Sequence, residues 1–98
     1  MDIEIKGTNE IVLSGNIKSL KDYQNIKQTV TDMIAAGVDN IIIKTPESFS
    51  ITSSVIGFFM KVIFQDHVKI TLYVSDPRLF NILEDLQLIE TFNVIRVS

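Results

Sequence analysis

The chain has 98 residues, a formal net charge of −3 and no cysteine, which excludes disulfides and thiolate metal sites. Apolar residues make up 46% and charged residues 21%, so the composition is that of one folded domain, spanning 1–98. No basic stripe, targeting segment or membrane-length apolar run is visible. We therefore expect a cytoplasmic protein without membrane insertion that binds no nucleic acid.

The first third of the chain predicts a hairpin followed by a helix. Residues 2–6 alternate between polar and apolar side chains, as a half-buried strand does. A turn at 7–9 and an apolar run at 11–13 complete the hairpin. After a helix cap at Ser19, apolar residues recur at helical spacing over 20–34, which predicts a helix with one face on a sheet.

The remainder predicts alternating strands and helices. The β-branched run 41–43 is typical of a strand covered on both faces. Further strands are expected at 69–74 and 92–97, and Ser-Asp-Pro at 75–77 predicts the start of a helix between them. The order is therefore β-β-α-β-α-β-α-β, an α/β domain whose right-handed crossovers give a mixed, mostly parallel sheet.

A very apolar segment at 49–65 lies between the third and fourth strands. The hydroxyls of Thr52, Ser53 and Ser54 stand at its start, where they suit the unpaired N–H groups of a first helical turn. The residues that follow are apolar on more than one helical face. Such a helix is either buried nearly all round or uses its second face for binding.

We expect one apolar face of this helix to pack on the sheet, formed by Ile56, Phe59, Met60 and Ile63. A neighbouring face then remains, formed by Val55, Phe58 and Val62. It is covered by other core elements or it is exposed. We favour an exposed patch that docks a partner or a second copy of the chain, because large exposed apolar patches usually mark interfaces.

The element order and these hydroxyls resemble the STAS family, which contains the bacterial anti-sigma factor antagonists. The local matches are IVLSGNI at 11–17, the hydroxyl triplet at 52–54, Ile56-Gly57, and LEDLQLIETFNV at 83–94. In that family, a partner kinase phosphorylates the serine at the start of the second helix. The resemblance therefore implies a phosphoacceptor at Ser53, with Ser54 and Thr52 as alternates. Capping alone accounts for the same hydroxyls.

The sequence departs from the family pattern at several positions. Thr52 and Val55 replace the motif's Asp and a nearby Gly, and Gln87 replaces a Gly near the end of the third helix. Lys18 and Lys44 replace acidic residues. These two lysines are either solvated or contacts for a small anion at the helix N-terminus. The family's usual C-terminal helix has no matching sequence.

The resemblance implies a regulatory protein-interaction module in bacterial signalling and transcription regulation. Its partner would be an anti-sigma factor or a related serine-kinase-like protein, bound through the N-terminal end and apolar flank of the second helix. The alternatives are a non-phosphorylated accessory subunit of a membrane-transporter ATPase and a homodimerising scaffold. No nucleophile–base pair, metal-ligand set or phosphate loop is recognisable, so we expect no enzyme activity, metal or cofactor.

Overall fold

The computed structural model describes residues 1–97. They form an α/β fold that consists of one mixed five-stranded sheet and three helices. The elements are β1 (Asp2–Lys6), β2 (Glu10–Ser14), α1 (Leu20–Ala35), β3 (Asn40–Thr45), α2 (Ser53–Phe64), β4 (Lys69–Val74), α3 (Pro77–Asp85) and β5 (Val94–Arg96). The predicted order of elements is confirmed. The strands lie side by side in chain order, with β1 antiparallel to β2 and every other pair parallel.

The three helices lie on one face of the sheet, because successive right-handed crossovers that step in one direction place every helix on the same side. Burial in β3 alternates accordingly. Ile41 and Ile43 are buried, whereas Ile42 and Lys44 are only partly buried. The prediction that β3 is covered on both faces is therefore wrong. Its unbroken run of isoleucines conceals an ordinary alternation in which one isoleucine faces away from the helices.

Helix α1 begins with a capping box. The Ser19 Oγ accepts a hydrogen bond from the Asp22 N–H at 3.0 Å, and the Asp22 carboxylate accepts from the N–H groups of Ser19 and Lys18. The Lys18 N–H contributes most to lowering the pKa of the Asp22 carboxyl, and the Ser19 N–H adds to it while burial opposes it. The buried Asp22 side chain thus stabilises the first turn of α1.

Helix α3 begins as the sequence predicts, with Pro77 as its first residue and the Asp76 carboxylate accepting from the Arg78 N–H at 2.8 Å. The Arg78 guanidinium also pairs with that carboxylate at 2.8 Å. Hydrogen bonds from the side chain and backbone of Arg78 lower the pKa of Asp76 to about 2. The backbone N–H and the guanidinium of Arg78 thus both stabilise the ionised carboxylate of the N-cap Asp76.

The core lies between the sheet and the helices, and its two largest fully buried side chains are Phe59 and Phe92. Their rings meet edge to face, with centroids 5.9 Å apart.

The sequence predicts that the last strand starts at residue 92, but the strand begins at Val94. The reason is that Asn93 has a φ of +47°, which a strand cannot accommodate. No helix within residues 1–97 has the length and apolar character needed to cross a membrane.

Candidate functional site

The N-terminal end of α2 carries the three hydroxyls that the sequence singled out. Thr52 is the N-cap, and its side-chain oxygen accepts a hydrogen bond from the Val55 N–H at 3.3 Å. Ser53 and Ser54 are the first two helical residues, and both are exposed. The three hydroxyls therefore differ in environment, because one is engaged in capping and two face solvent.

The loop before α2 is tied to the loop that follows β2. The buried Ser48 hydroxyl donates to the Gly15 carbonyl at 2.6 Å, and the Phe49 N–H donates to the Asn16 side-chain oxygen at 3.0 Å. These two bonds join segments that are more than thirty residues apart in the chain. They give the start of α2 a fixed position beside the carboxyl end of β2.

An aromatic–cation pair lies at the same end of the parallel strands. The Arg78 guanidinium carbon is 4.4 Å from the centre of the partly exposed Phe49 ring, a distance typical of a cation–π contact. This contact links the loop before α2 to the first turn of α3. Sequence reasoning missed the pair, because neither residue belongs to a recognisable motif and their contact depends on the tertiary fold.

The face of α2 predicted to dock a partner is buried. Val55 and Val62 are fully buried and Phe58 is only 5% exposed, so the prediction that these three side chains form an exposed patch is wrong. The reason is that α1 lies beside α2. The Tyr23 ring of α1 packs edge-on against Phe58, with centroids 6.5 Å apart. Other core elements cover this face.

The exposed residues of α2 are Ser53, Ser54, Gly57, Met60, Lys61 and Phe64. Four of them follow one line at helical spacing, which we call the outer strip: Ser53, Gly57, Met60 and Phe64. Met60 is 37% exposed and Phe64 is 60% exposed, so the prediction that Met60 packs on the sheet is wrong. A side chain added at Gly57 would meet open space. The strip thus runs from an exposed serine to two large exposed apolar side chains.

The two lysines predicted as anion contacts lie in different places. Lys44 projects from the face of the sheet opposite the helices, and its ammonium pairs with the Glu10 carboxylate at 3.4 Å. The prediction that Lys44 contacts an anion beside α2 is therefore wrong, because strand alternation turns it away. The Lys18 side chain is exposed just before α1, and its anion contact stays a prediction.

Within residues 1–97, no group of three His, Asp or Glu side chains is arranged to hold a metal ion. A scan against models of known protein families finds no match for this chain, and a search of curated proteins finds none either.

Proposed function

We propose that this chain is a STAS-like regulatory module that binds a protein partner through the N-terminal end and the outer strip of α2. One observation carries the proposal. On its exposed side, which also carries Ser54 and Lys61, α2 presents the large apolar side chains of Met60 and Phe64 to solvent in line with Ser53. Aromatic residues and Met are enriched at the centres of protein interfaces, which makes this strip a suitable docking surface.

The likeness to the STAS family has support beyond local sequence matches. The order of helices and strands agrees with it, and the hydroxyl triplet lies at the start of the second helix. Gln87, which stands where the family has a Gly, adopts a φ of +59°, the left-handed conformation that favours Gly. The partner class proposed from this likeness is an anti-sigma factor or a serine-kinase-like protein.

Ser53 is the proposed phosphoacceptor, because it is exposed and lies on the outer strip, whereas the Thr52 oxygen is engaged in capping. A phosphate at a helix N-terminus meets unpaired N–H groups and the positive end of the helix dipole. It adds roughly −1.5 to −2 charges. That charge would have to be desolvated when a partner covers the strip, so phosphorylation weakens docking while α2 stays folded.

A non-phosphorylated accessory subunit of a transporter ATPase is the alternative, with docking through the same strip. The first turn of α2 contains no acidic residue, since Thr52 stands where the family has Asp. A kinase that recognises this acidic residue in its substrate would not find it in this chain. A homodimer formed through the strip is a third arrangement. None of the three requires enzyme activity.

The docking surface is tested by affinity capture from the native cell with the double variant Met60→Glu/Phe64→Glu. The matched control is Leu20→Glu/Leu86→Glu, which adds the same charge at two exposed apolar residues outside α2. We expect wild type and control to retain one partner of the proposed classes, identified by mass spectrometry, and the α2 variant to lose it. Retention by the α2 variant would place the interface elsewhere.

Mass spectrometry of the native protein decides between the two regulatory forms. Phosphate on Ser53, together with loss of the partner in Ser53→Asp, supports the switch. Absence of phosphate from residues 52–54 under every growth condition tested, with the partner still bound at the strip, supports the accessory subunit. The experiments can therefore refute the docking surface and the phosphorylation of Ser53 independently of each other.

A further inference from the structure

The sheet ends in two edge strands of unequal length. β1 pairs with β2 over five residues, whereas β5 pairs with β4 over three. An edge strand presents a row of N–H and C=O groups to which another strand can add, and proteins blunt long edges with proline, a bulge or an inward-pointing charge. Within residues 2–6, β1 has none of these, because its pairing with β2 is continuous and its inward residues are Ile3 and Ile5.

The two faces of β1 differ in chemistry. Ile3 and Ile5 lie opposite buried residues of β2, so they point to the side of the sheet that carries the helices. Ile3 packs against the core, whereas Ile5 is 57% exposed. The charged residues Asp2, Glu4 and Lys6 alternate with them, point to the other side and are exposed. β1 thus leaves one large apolar side chain uncovered at the edge of the sheet.

The bonding pattern of β2 decides which backbone groups of β1 face outward. The Ile42 N–H of β3 donates to the Asn9 carbonyl at 2.9 Å, so the odd-numbered residues of β2 direct their backbone groups to β3. The even-numbered residues of β2 therefore bond to β1, where they are opposite its three charged residues. The N–H and C=O groups of Ile3 and Ile5 are accordingly directed away from β2.

We propose that two copies of the chain pair through β1, antiparallel and about a two-fold axis at Glu4, so that their two sheets become one. Ile3 of each copy is then opposite Ile5 of the other, and their outward backbone groups form about four hydrogen bonds. Asp2 of each copy is opposite Lys6 of the other, which makes two pairs of opposite charge. Burial of the exposed Ile5 side chains adds an apolar contribution.

The charge pattern of β1 favours this register over the other two-fold arrangements. An axis at Ile3 would place Asp2 of each copy opposite Glu4 of the other, in two pairs of like charge. An axis at Ile5 would place Asp2 and Ile3 opposite the turn residues at 7 and 8, beyond the end of the strand. The axis at Glu4 pairs all five residues, and its one unfavourable contact is between the two Glu4 side chains.

Sedimentation equilibrium over a range of protein concentrations measures the dissociation constant of the dimer. The contact is short, so we expect a reversible dimer with a dissociation constant on the order of 10–100 μM. A chain that stays monomeric up to about 1 mM would overturn the proposal. So would growth beyond the dimer, because a contact between two different edges does not close on itself.

Ile5→Pro removes the outward N–H and the exposed side chain, but it spares the hydrogen bonds between β1 and β2. We expect it to raise the dissociation constant at least about tenfold. The matched control is Arg96→Pro on β5. Because the Val97 N–H donates to the Val74 carbonyl, the Arg96 N–H points away from β4 in the same way. The control should change the dissociation constant less than about twofold, and the opposite ranking of the two variants would contradict pairing through β1.

An exchange of charges tests the register. Asp2→Lys and Lys6→Asp should each raise the dissociation constant at least about fivefold, and the double variant Asp2→Lys/Lys6→Asp should restore it. Residue 6 lies opposite Glu10 in its own chain, but that pair changes equally in Lys6→Asp and in the double variant. Glu4→Gln removes the like-charged pair on the axis, so it should lower the dissociation constant at least about twofold. No restoration in the double variant, or weaker association of Glu4→Gln, refutes the register.

The outer strip is tested separately with Met60→Glu/Phe64→Glu. This variant should dimerise as the wild type does, because α2 connects β3 to β4 and β1 is the outermost strand. Loss of the dimer in this variant would place the second copy on the outer strip and contradict the proposal. Circular dichroism confirms that each variant is folded before its association is measured.

Discussion

Ser48 fixes the start of α2 through one buried hydrogen bond, from its hydroxyl to the Gly15 carbonyl at 2.6 Å. Ser48→Ala leaves that carbonyl without this donor. Loss of one partner of a buried hydrogen bond costs about 1–3 kcal/mol, so we expect the free energy of unfolding to fall by that amount. The midpoint and slope of urea unfolding measure the change.

Ser54→Ala is the matched control for Ser48→Ala, because Ser54 is exposed in the first turn of α2. Exposed substitutions of this kind usually change the free energy of unfolding by less than about 0.5 kcal/mol. Equal effects from the two alanines would mean that the bond to Gly15 does not anchor the loop. The two serines thus separate a structural hydroxyl from a candidate phosphoacceptor.

At the residue scale, the sequence identifies local interactions well and distant ones poorly. The caps at Ser19, Thr52 and Asp76 are predictable, because a helix start depends on residues within three positions of it. The placement of Lys44 and the contact between Phe49 and Arg78 depend on which face each element turns to its neighbours. No local pattern contains that information.

At the scale of the element, α2 provides a paired test of its own orientation. Phe58→Ala removes a buried ring and its contact with Tyr23, whereas Phe64→Ala removes a largely exposed one from the same helix. Burial of a Phe side chain typically stabilises by about 3–5 kcal/mol relative to Ala. We expect Phe58→Ala to lower the free energy of unfolding by that amount in a urea titration.

Phe64→Ala should change it by less than about 1 kcal/mol, because most of that ring already contacts solvent. If the two substitutions had equal effects, the assignment of the outer strip would fail. Circular dichroism of both variants checks that the helix content is kept before the urea curves are compared.

The contrast between α1 and α2 explains which faces the sequence could predict. In α1, polar residues fill one side, so Ile26, Val30 and Met33 stand out as the buried stripe. In α2, eight of the twelve residues are large and apolar, so no single buried stripe stands out, and only Ser54, Gly57 and Lys61 at helical spacing mark the exposed side. Its orientation is set by packing between the sheet, α1 and the Phe92 ring, all of which are distant in the chain.

At the scale of the whole molecule, the order of elements followed from local patterns, and the one-sided arrangement of the layers did not. Each strand pairs with the next strand in the chain, so every parallel pair has one helix in its crossover. Whether a strand such as β3 is covered on one face or two depends on the direction in which the sheet grows. Because the sheet grows in one direction, all three helices of residues 1–97 lie on the side of α2. The opposite side of the sheet presents side chains such as Lys44 and Tyr73.

This layout predicts a gradient of stability across the sheet, which two amides with equal hydrogen bonds can measure. The Ile42 N–H of central β3 donates to the Asn9 carbonyl at 2.9 Å, and the Val97 N–H beyond edge strand β5 donates to the Val74 carbonyl at 2.9 Å. β3 and β4 share six register pairs and β4 and β5 share three, so β5 opens without disrupting the core. Hydrogen exchange under native conditions should be at least about a hundredfold faster at Val97 than at Ile42, after correction for intrinsic rates. Equal protection would mean that β5 unfolds only with the whole domain, and the sheet would then be one cooperative unit.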